Sequence, residues 1–317
     1  MGKRKHYSTL SHFAKQAFQT AMNAPSTDEL PKNSDSGGVH GNEKNAFDAS
    51  SLVPHYKTSA EVPEHLQKYF SQRKRYFSLY DQGCLLDEEG WYSVTPELIA
   101  DQIAERCRCD TVLDAFCGVG GNAIAFAKTC NHVIALDNSP TRLALARHNA
   151  LIYGVADRIE FILADYIAFA NTYLNCRPSD KRPIDVTFLS PPWGGPDYIS
   201  QHFHDNGNGE CGETVDVSQN RNDQDTHPEF SLANIRPIHG ADLFQLTRRI
   251  TKNVAYFLPR NANLDEISAL LLHNVRPAPA TEDPAEMVEV EEEWMGTKLK
   301  ALTCYFGGLA GGQEHLF

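Results

Sequence analysis

No run of apolar residues in this 317-residue sequence approaches the roughly 18 to 20 needed to cross a bilayer. The opening residues, MGKRKHYSTLSHFAKQAF, contain no apolar stretch of secretory-signal type, so a protein of the cell interior is expected. Paired cysteines are missing too: the eight are scattered, the nearest two are Cys107 and Cys109, and no CxxC spacing occurs. That excludes a disulfide-stapled scaffold, and free thiols are expected. His202, His204 and His227 fall in a stretch rich in Gly, Asn and Asp without helical or strand periodicity, so no metal site is expected. Positive charge is in short supply as well, with 29 Lys and Arg against 41 Asp and Glu and a net charge of −12. Spread evenly, such a field would repel nucleic acid. It is not spread evenly. Residues 201–230 carry net −6 and residues 282–293 net −7, which leaves +1 for everything else, and residues 1–80 hold eleven bases against seven acids. The balance argues against broad affinity for an RNA body, not against gripping one compact anionic group.

What is present is 41% apolar residues, enough for one large core. Residues 1–60 are polar and interrupted by Ser, Asn, Gly and Pro, the composition of a flexible tail, with spacing that allows a short amphipathic helix around Leu10 to Ala21. From Pro63 to Tyr80, Leu66, Tyr69, Phe70, Tyr76, Phe77 and Tyr80 recur at helical intervals among Lys68, Arg73, Lys74 and Arg75, which predicts a basic, aromatic helical arm over 61–94. Thr95 and Pro96 open a helix as a cap followed by proline at the first helical position, and the domain runs from there over 95–317. Strand-like TVLDAF, HVIALD, RIEFILAD, IDVTFLS and NVAYFLP alternate with helix-like NAIAFAKTC, SPTRLALARHNALIYG, ADLFQLTRRIT and NLDEISALLLH. AEMVEVEEEWM and KLKALTCYFG close the chain as two more strands. This predicts an α/β fold with a mostly parallel seven-stranded sheet and an antiparallel edge. Residues 200–235 have no periodicity and are too long for an ordinary connection, so a mobile surface insertion is expected there.

Two motifs carry chemistry. DAFCGVGG, Asp114 to Gly121, lies between the first strand and a helix, where Gly118 and Gly120 let the backbone turn tightly against a ligand, with Cys117 beside them as a further cofactor contact. Gly118, Gly120 and Ala123 also satisfy the loose dinucleotide pattern, so NAD binding competes. Strand-end acids favour S-adenosylmethionine. Asp114 stands where a carboxylate meets a cationic amino-acid moiety, Asp137 where one accepts ribose hydroxyls, and Asp165, followed by Tyr166, where one accepts from an adenine amine. The second motif, SPPWGGPDY from Ser190 to Tyr198, ends strand four. Pro191 and Pro192 remove two amide donors, so that a carbonyl and the Ser190 hydroxyl can accept from an NH2 group, and Trp193 offers a face to a planar base.

The tetrad SPPW is similar to the (D/N/S)PP(Y/F/W) signature of amino methyltransferases. RYFSLYDQGCLLDEEGWYSVTPE, VLDAFCGVGGNAIAFA, SPPWGGPDY, YFLPRN and KLKALTCYFG, in this order, resemble the catalytic domain of the trimethylguanosine synthase family of RNA cap hypermethylases over roughly residues 63–309. The resemblance implies a Rossmann-like class I methyltransferase fold and two methyl transfers to N2 of a 7-methylguanosine cap, giving the 2,2,7-trimethylguanosine cap of small nuclear and nucleolar RNAs. It further implies an S-adenosylmethionine cofactor, a capped-RNA substrate with ribonucleoprotein partners, and a nuclear or nucleolar setting with the cytoplasm as the alternative; a monomer without metal or membrane is expected. Carried over, Trp193 stacks on the methylated guanine, Ser190 and Pro191 face N2, and Lys68, Tyr198 and Arg260, next to Asn261, hold the cap phosphates with Lys298 or Lys300. Phe77, Ser93 and Thr95 close over cofactor and cap, and Asp114, Asp137 and Asp165 fall at cofactor positions. An amino methyltransferase of DNA bases or protein glutamine, a non-catalytic cap-binding module and an NAD oxidoreductase are the alternatives.

Overall fold

A computed structural model describes residues 47–193, 229–271 and 286–311. All seven expected strands form: β1 (Thr111–Asp114), β2 (His132–Asp137), β3 (Ile159–Leu163), β4 (Val186–Leu189), β5 (Asn253–Pro259), β6 (Val288–Met295) and β7 (Lys298–Phe306). They make one sheet in the order β3-β2-β1-β4-β5-β7-β6. The first five run parallel, and β7 lies antiparallel to both β5 and β6. β1 and β4 are buried along their whole length, as continuous apolar runs covered on both faces must be. Edge strand β6 instead alternates its burial, carrying Glu289, Glu291 and Glu293 on one side.

In the parallel half, helices Gly121–Thr129, Pro140–Ile152, Tyr166–Asn175 and Gly240–Arg248 return the chain from each strand to the next. The third was not anticipated from the sequence. Asp165 caps it, accepting from the Ala168 amide at 2.9 Å, and a parallel β3-to-β4 route requires such a crossover. Because β2 lies on one side of β1 and β4 on the other, chain connections diverge there and leave a crevice beyond the carboxyl ends of β1 and β4.

The arm is not a single helix. It breaks into the one-turn helices Gln67–Phe70 and Arg73–Tyr76 followed by turns, so that Phe70, Tyr80 and Tyr56 converge on the buried Trp91, with ring centroids 5.6–6.3 Å away. One straight helix could not turn this many aromatics to one point. Residues 47–60, assigned by composition to the tail, contribute to this layer: Ala49 is buried, and Tyr80 donates its hydroxyl to the Tyr56 carbonyl at 3.0 Å. Asn149 fastens arm to body. Fully buried, it accepts from the Leu85 amide at 2.7 Å and donates to the carbonyls of Leu85 and Val119, both at 2.9 Å.

Two further boundaries differ from expectation. Pro96 is itself the cap residue of helix Glu97–Arg106, while the Thr95 hydroxyl is drawn inward to accept from Asn122 at 3.0 Å. Residues 229–235 belong to the core rather than to an insertion, since Phe230, Leu232 and Ile235 are buried against the β5 side of the sheet. No helix of the described residues is long and apolar enough to cross a membrane.

Candidate active site

The glycine turn leaves β1 at Asp114 and is pinned at both sides. Ala115 donates its amide to the Phe188 carbonyl of β4 at 3.1 Å, and Cys117 donates to Leu136 of β2 at 2.7 Å. Gly118 and Gly120 have φ of +52° and +92°, a region costly for other residues. A Cβ at Gly120 would also meet the Cα and Cβ of Ala146 at 3.0 Å, so helix Pro140–Ile152 packs against the turn only because no side chain intervenes. Cys117 is buried in the turn, its thiol pushed far above its ordinary range by burial.

The three strand-end acids sit in three different environments. Asp114 is fully buried, and neither carboxylate oxygen has a hydrogen-bond partner among the described residues. Burial pushes its pKa from an ordinary 3.8 to about 7; the Phe116 and Ala123 amides pull the other way, too weakly, and the Asp137 charge adds to the rise. A carboxylate left bare inside a protein is complete only with a cation beside it. Asp137 is already engaged: it accepts from the Gly118 amide at 3.1 Å, the Ser139 amide at 2.8 Å and Arg142 Nε at 3.3 Å. A carboxylate has about four lone-pair positions, so one remains for a ligand hydroxyl. Arg142 continues to Glu89 in helix Glu88–Ser93 of the arm, which joins the arm to this acid through one guanidinium. Asp165 is exposed and spends one oxygen on its helix cap.

The second motif meets the first edge to edge. Ser190 donates its hydroxyl to the Phe116 carbonyl of the glycine turn at 3.4 Å. The Pro192 carbonyl accepts the Arg236 amide at 3.4 Å, which ties the turn to the chain that precedes helix Gly240–Arg248. Trp193 is half-buried against Phe257 of β5, with centroids 5.3 Å apart and rings tilted by 33°. Its indole N–H is buried without an acceptor among the described residues.

Other expected residues divide. Thr95, through Asn122, and Cys117 flank the turn. Phe77 is buried against Tyr153, centroids 6.1 Å apart, at the junction of arm and body. Tyr166 does not face the crevice with its hydroxyl: it is buried, bonded to Thr247 at 2.7 Å and packed on Phe116, because the helix it opens needs an anchor in the core. Ser93, Lys68 and Arg260 are exposed, with the Lys68 ammonium over the Tyr69 ring at 4.8 Å. The Asn261 carbonyl accepts the Phe230 amide at 2.7 Å and so ties the exit of β5 to the returning chain. Lys300 lies near Lys298, Arg75 and Arg260; partial burial and then these like charges lower its pKa. Tyr198, the three histidines and residues 10–21 lie outside the described residues. Among those described, no group of three or more His, Cys, Asp or Glu is placed to hold a metal. Sequence reasoning missed Phe257, Asn122 and the Arg142–Glu89 link. Asn122, a polar residue inside an otherwise apolar helix directly after the glycines, was the one with a visible signal.

A sheet of this order with a reversed β7, and a glycine turn between β1 and a helix facing an acid at the end of β2, define a Rossmann-like class I methyltransferase. The chain belongs to the RNA cap guanine-N2 methyltransferase family, whose model matches residues 109–211 and 222–309. It is similar to the trimethylguanosine synthase of Schizosaccharomyces pombe, 35% identical over 240 residues that make up 74% of this chain and 87% of that protein. The trimethylguanosine synthase of Saccharomyces cerevisiae is 30% identical over 222 residues, 67% of this chain and 61% of that one. Among solved structures, a SAM-dependent methyltransferase from Agrobacterium tumefaciens aligns with a TM-score of 0.42 at 16% identity, over 68% of this chain and 63% of its own.

Proposed function

We propose that the chain transfers methyl groups from S-adenosylmethionine to N2 of the 7-methylguanosine cap of small nuclear and nucleolar RNAs, in two steps, giving the 2,2,7-trimethylguanosine cap. The observation that carries this reading is the Ser190–Phe116 contact, which sets an amine-orienting tetrad against the acid-lined turn at the carboxyl end of β1. Bound there, S-adenosylmethionine supplies an electrophilic methyl group. The unpartnered Asp114 carboxylate fits the cationic amino-acid end of such a molecule, and the remaining acceptor position on Asp137 fits its ribose. Asp165, with one oxygen spent on a helix cap, retains the other for the adenine amine.

Guanine N2 is a weak nucleophile because its lone pair is delocalised into the ring. Ser190 and the neighbouring backbone carbonyls accept the N2 hydrogens and aim the lone pair, which favours catalysis by alignment over catalysis by a strong base. With one face of its indole against Phe257, Trp193 presents the other to the base, and 7-methylation makes that base cationic and strengthens stacking. Lys68, Tyr198, Arg260 and Lys298 or Lys300 hold the cap phosphates; the mutual repulsion around Lys300 is what an anion relieves. Ribonucleoprotein partners and a nuclear setting follow from that class of RNA. Trp193→Ala is expected to abolish binding of a 7-methylguanosine cap analogue in a fluorescence titration while S-adenosylmethionine binding persists. Loss of both would make the tryptophan a packing residue and remove the stacking role.

A further inference from the structure

We propose that Cys109 and Cys130, at the amino end of the sheet, form a reversible oxidation site for hydrogen peroxide, whose product is a disulfide that closes a ring around the glycine-turn segment. The inference is independent of the cap reading and concerns two thiols that methyl transfer does not use. Strand register sets the pair face to face. Thr111 of β1 pairs with His132 of β2. One step outward, Asp110 accepts the His132 amide on its carbonyl and the Asn131 side-chain amide on its carboxylate, both at 2.9 Å. A second step outward sets Cys109 opposite Cys130, whose backbone is extended where helix Gly121–Thr129 ends. Neighbouring strands run roughly 4.7–4.9 Å apart, inside the roughly 4.4–6.8 Å between Cα atoms that a disulfide spans. The two sulfurs already lie 3.9 Å apart, so an approach of about 2 Å, shared between two side chains, makes the bond.

Both cysteines are free thiols in the resting protein. The Cys130 sulfur also lies 3.6 Å from the Thr129 hydroxyl and 3.6 Å from the Cys107 carbonyl. Accepting from Cys109 holds the Cys130 thiol below its ordinary range against the opposing effect of burial, and the Thr129 hydroxyl and the Arg108 guanidinium act in the same direction. Cys107, in contrast, is fully buried and its thiol is pushed well up by that burial, so it stays inert. Cys130 is 3% exposed and Cys109 half-buried, which suits an oxidant the size of water rather than a bulky disulfide. The Cys130 thiolate attacks one peroxide oxygen, the O–O bond breaks, and a sulfenic acid forms as the first water leaves. The Cys109 sulfur then attacks the Cys130 sulfur, its own proton and the sulfenic hydroxyl leave as a second water, and the S–S bond forms. Two thiols thus give up two electrons and two protons, and one hydrogen peroxide is reduced to two waters. The closed ring, 109–130, holds β1, Asp114, the glycine turn and helix Gly121–Thr129, while the thiols lie at the opposite end of the strands from the crevice. Oxidation therefore restrains this segment against unfolding and leaves the crevice open.

In the test, the full chain is treated with a few equivalents of hydrogen peroxide, alkylated, digested with trypsin and analysed by mass spectrometry. Cuts after Arg108, Lys128 and Arg142 place Cys109 in 109–128 and Cys130 in 129–142, with Cys107 in a separate fragment. The expected product joins the two peptides through Cys109 and Cys130, lighter by two hydrogens, and dithiothreitol reverses it; fragmentation separates a link at Cys109 from one at Cys117. The Tm of the oxidised protein is expected to rise by roughly 4–12 °C, and Cys109→Ser, at the half-buried position, should lose both link and rise. Mapping the link needs only wild-type protein, so a destabilised variant does not blunt the test. Absence of the link, a Cys130 that stops at sulfenic or sulfinic acid, a link through Cys107 or Cys117, or a rise in Tm that survives in Cys109→Ser overturns the proposal.

Discussion

Asp114→Asn should make the protein more stable and a worse enzyme at the same time. The folded carboxyl holds its proton up to about 7, whereas in the unfolded chain it ionises at the ordinary 3.8. Between those values the folded chain binds a proton that the unfolded chain has released, so stability falls as pH rises through that window and stays low above it. About three pK units at 1.36 kcal/mol each amount to roughly 4 kcal/mol of destabilisation at pH 8. The asparagine that removes this charge leaves its own amide without a partner, at about 1–3 kcal/mol, so the net gain is about 2 kcal/mol. At about 2–4 °C per kcal/mol for a domain of this size, Tm should rise by roughly 4–8 °C at pH 8 and by little or nothing at pH 5. Saturating S-adenosylmethionine, at about 100 times its Kd, should add about 2.7 kcal/mol to the wild type and clearly less to the variant. Differential scanning fluorimetry at the two pH values, with and without cofactor, reads all four quantities. A variant less stable than the wild type at pH 8, or a difference that does not change with pH, refutes the picture of Asp114 as a bare buried charge awaiting a cation.

Arg142→Lys keeps the charge but cannot serve Asp137 and Glu89 together, so cofactor affinity measured by calorimetry should fall about 3- to 10-fold; unchanged affinity would show that the arm does not help to position Asp137. Ser190→Ala should lower kcat by about 10- to 100-fold while KM for cap and cofactor stay near wild type, as loss of alignment requires, and intact turnover would remove Ser190 from the orienting role. Asn149→Leu orphans three buried backbone groups and should cost about 3 kcal/mol or more in urea unfolding; a smaller loss would mean that arm and body are held together elsewhere.

The strands were legible because each parallel strand is a short apolar run between turn signals, and β6 alternates as an edge strand does. The helix Tyr166–Asn175 was not, since YIAFANTYLN is apolar on most sides and carries no strong helical stripe; only the demand for a crossover predicts it. Composition misplaced residues 47–60 and 229–235 for a common reason. A few buried groups, Ala49, Tyr56, Phe230, Leu232 and Ile235, anchor stretches that are otherwise polar, and averaging hides them. In the candidate site, the glycines, Asp114, Asp137, Ser190 and Trp193 can be singled out from the sequence by local backbone demands or strand-end position. Phe257 was not, because an aromatic within NVAYFLP looks like any core residue until β5 is seen beside the SPPW turn. The direction of Tyr166 was hidden for the converse reason: its neighbour Asp165 lies at a strand end, but the helix that begins there turns the tyrosine hydroxyl toward Thr247 in the core.

The most direct measurement is the product itself. Purified protein, S-adenosylmethionine and a 7-methylguanosine-capped RNA should give, on nuclease digestion and mass spectrometry, guanosine carrying first one and then two additional methyl groups on N2, with no product from the cap lacking the 7-methyl group. Methylation at any other atom, or equal methylation of both caps, would contradict the account.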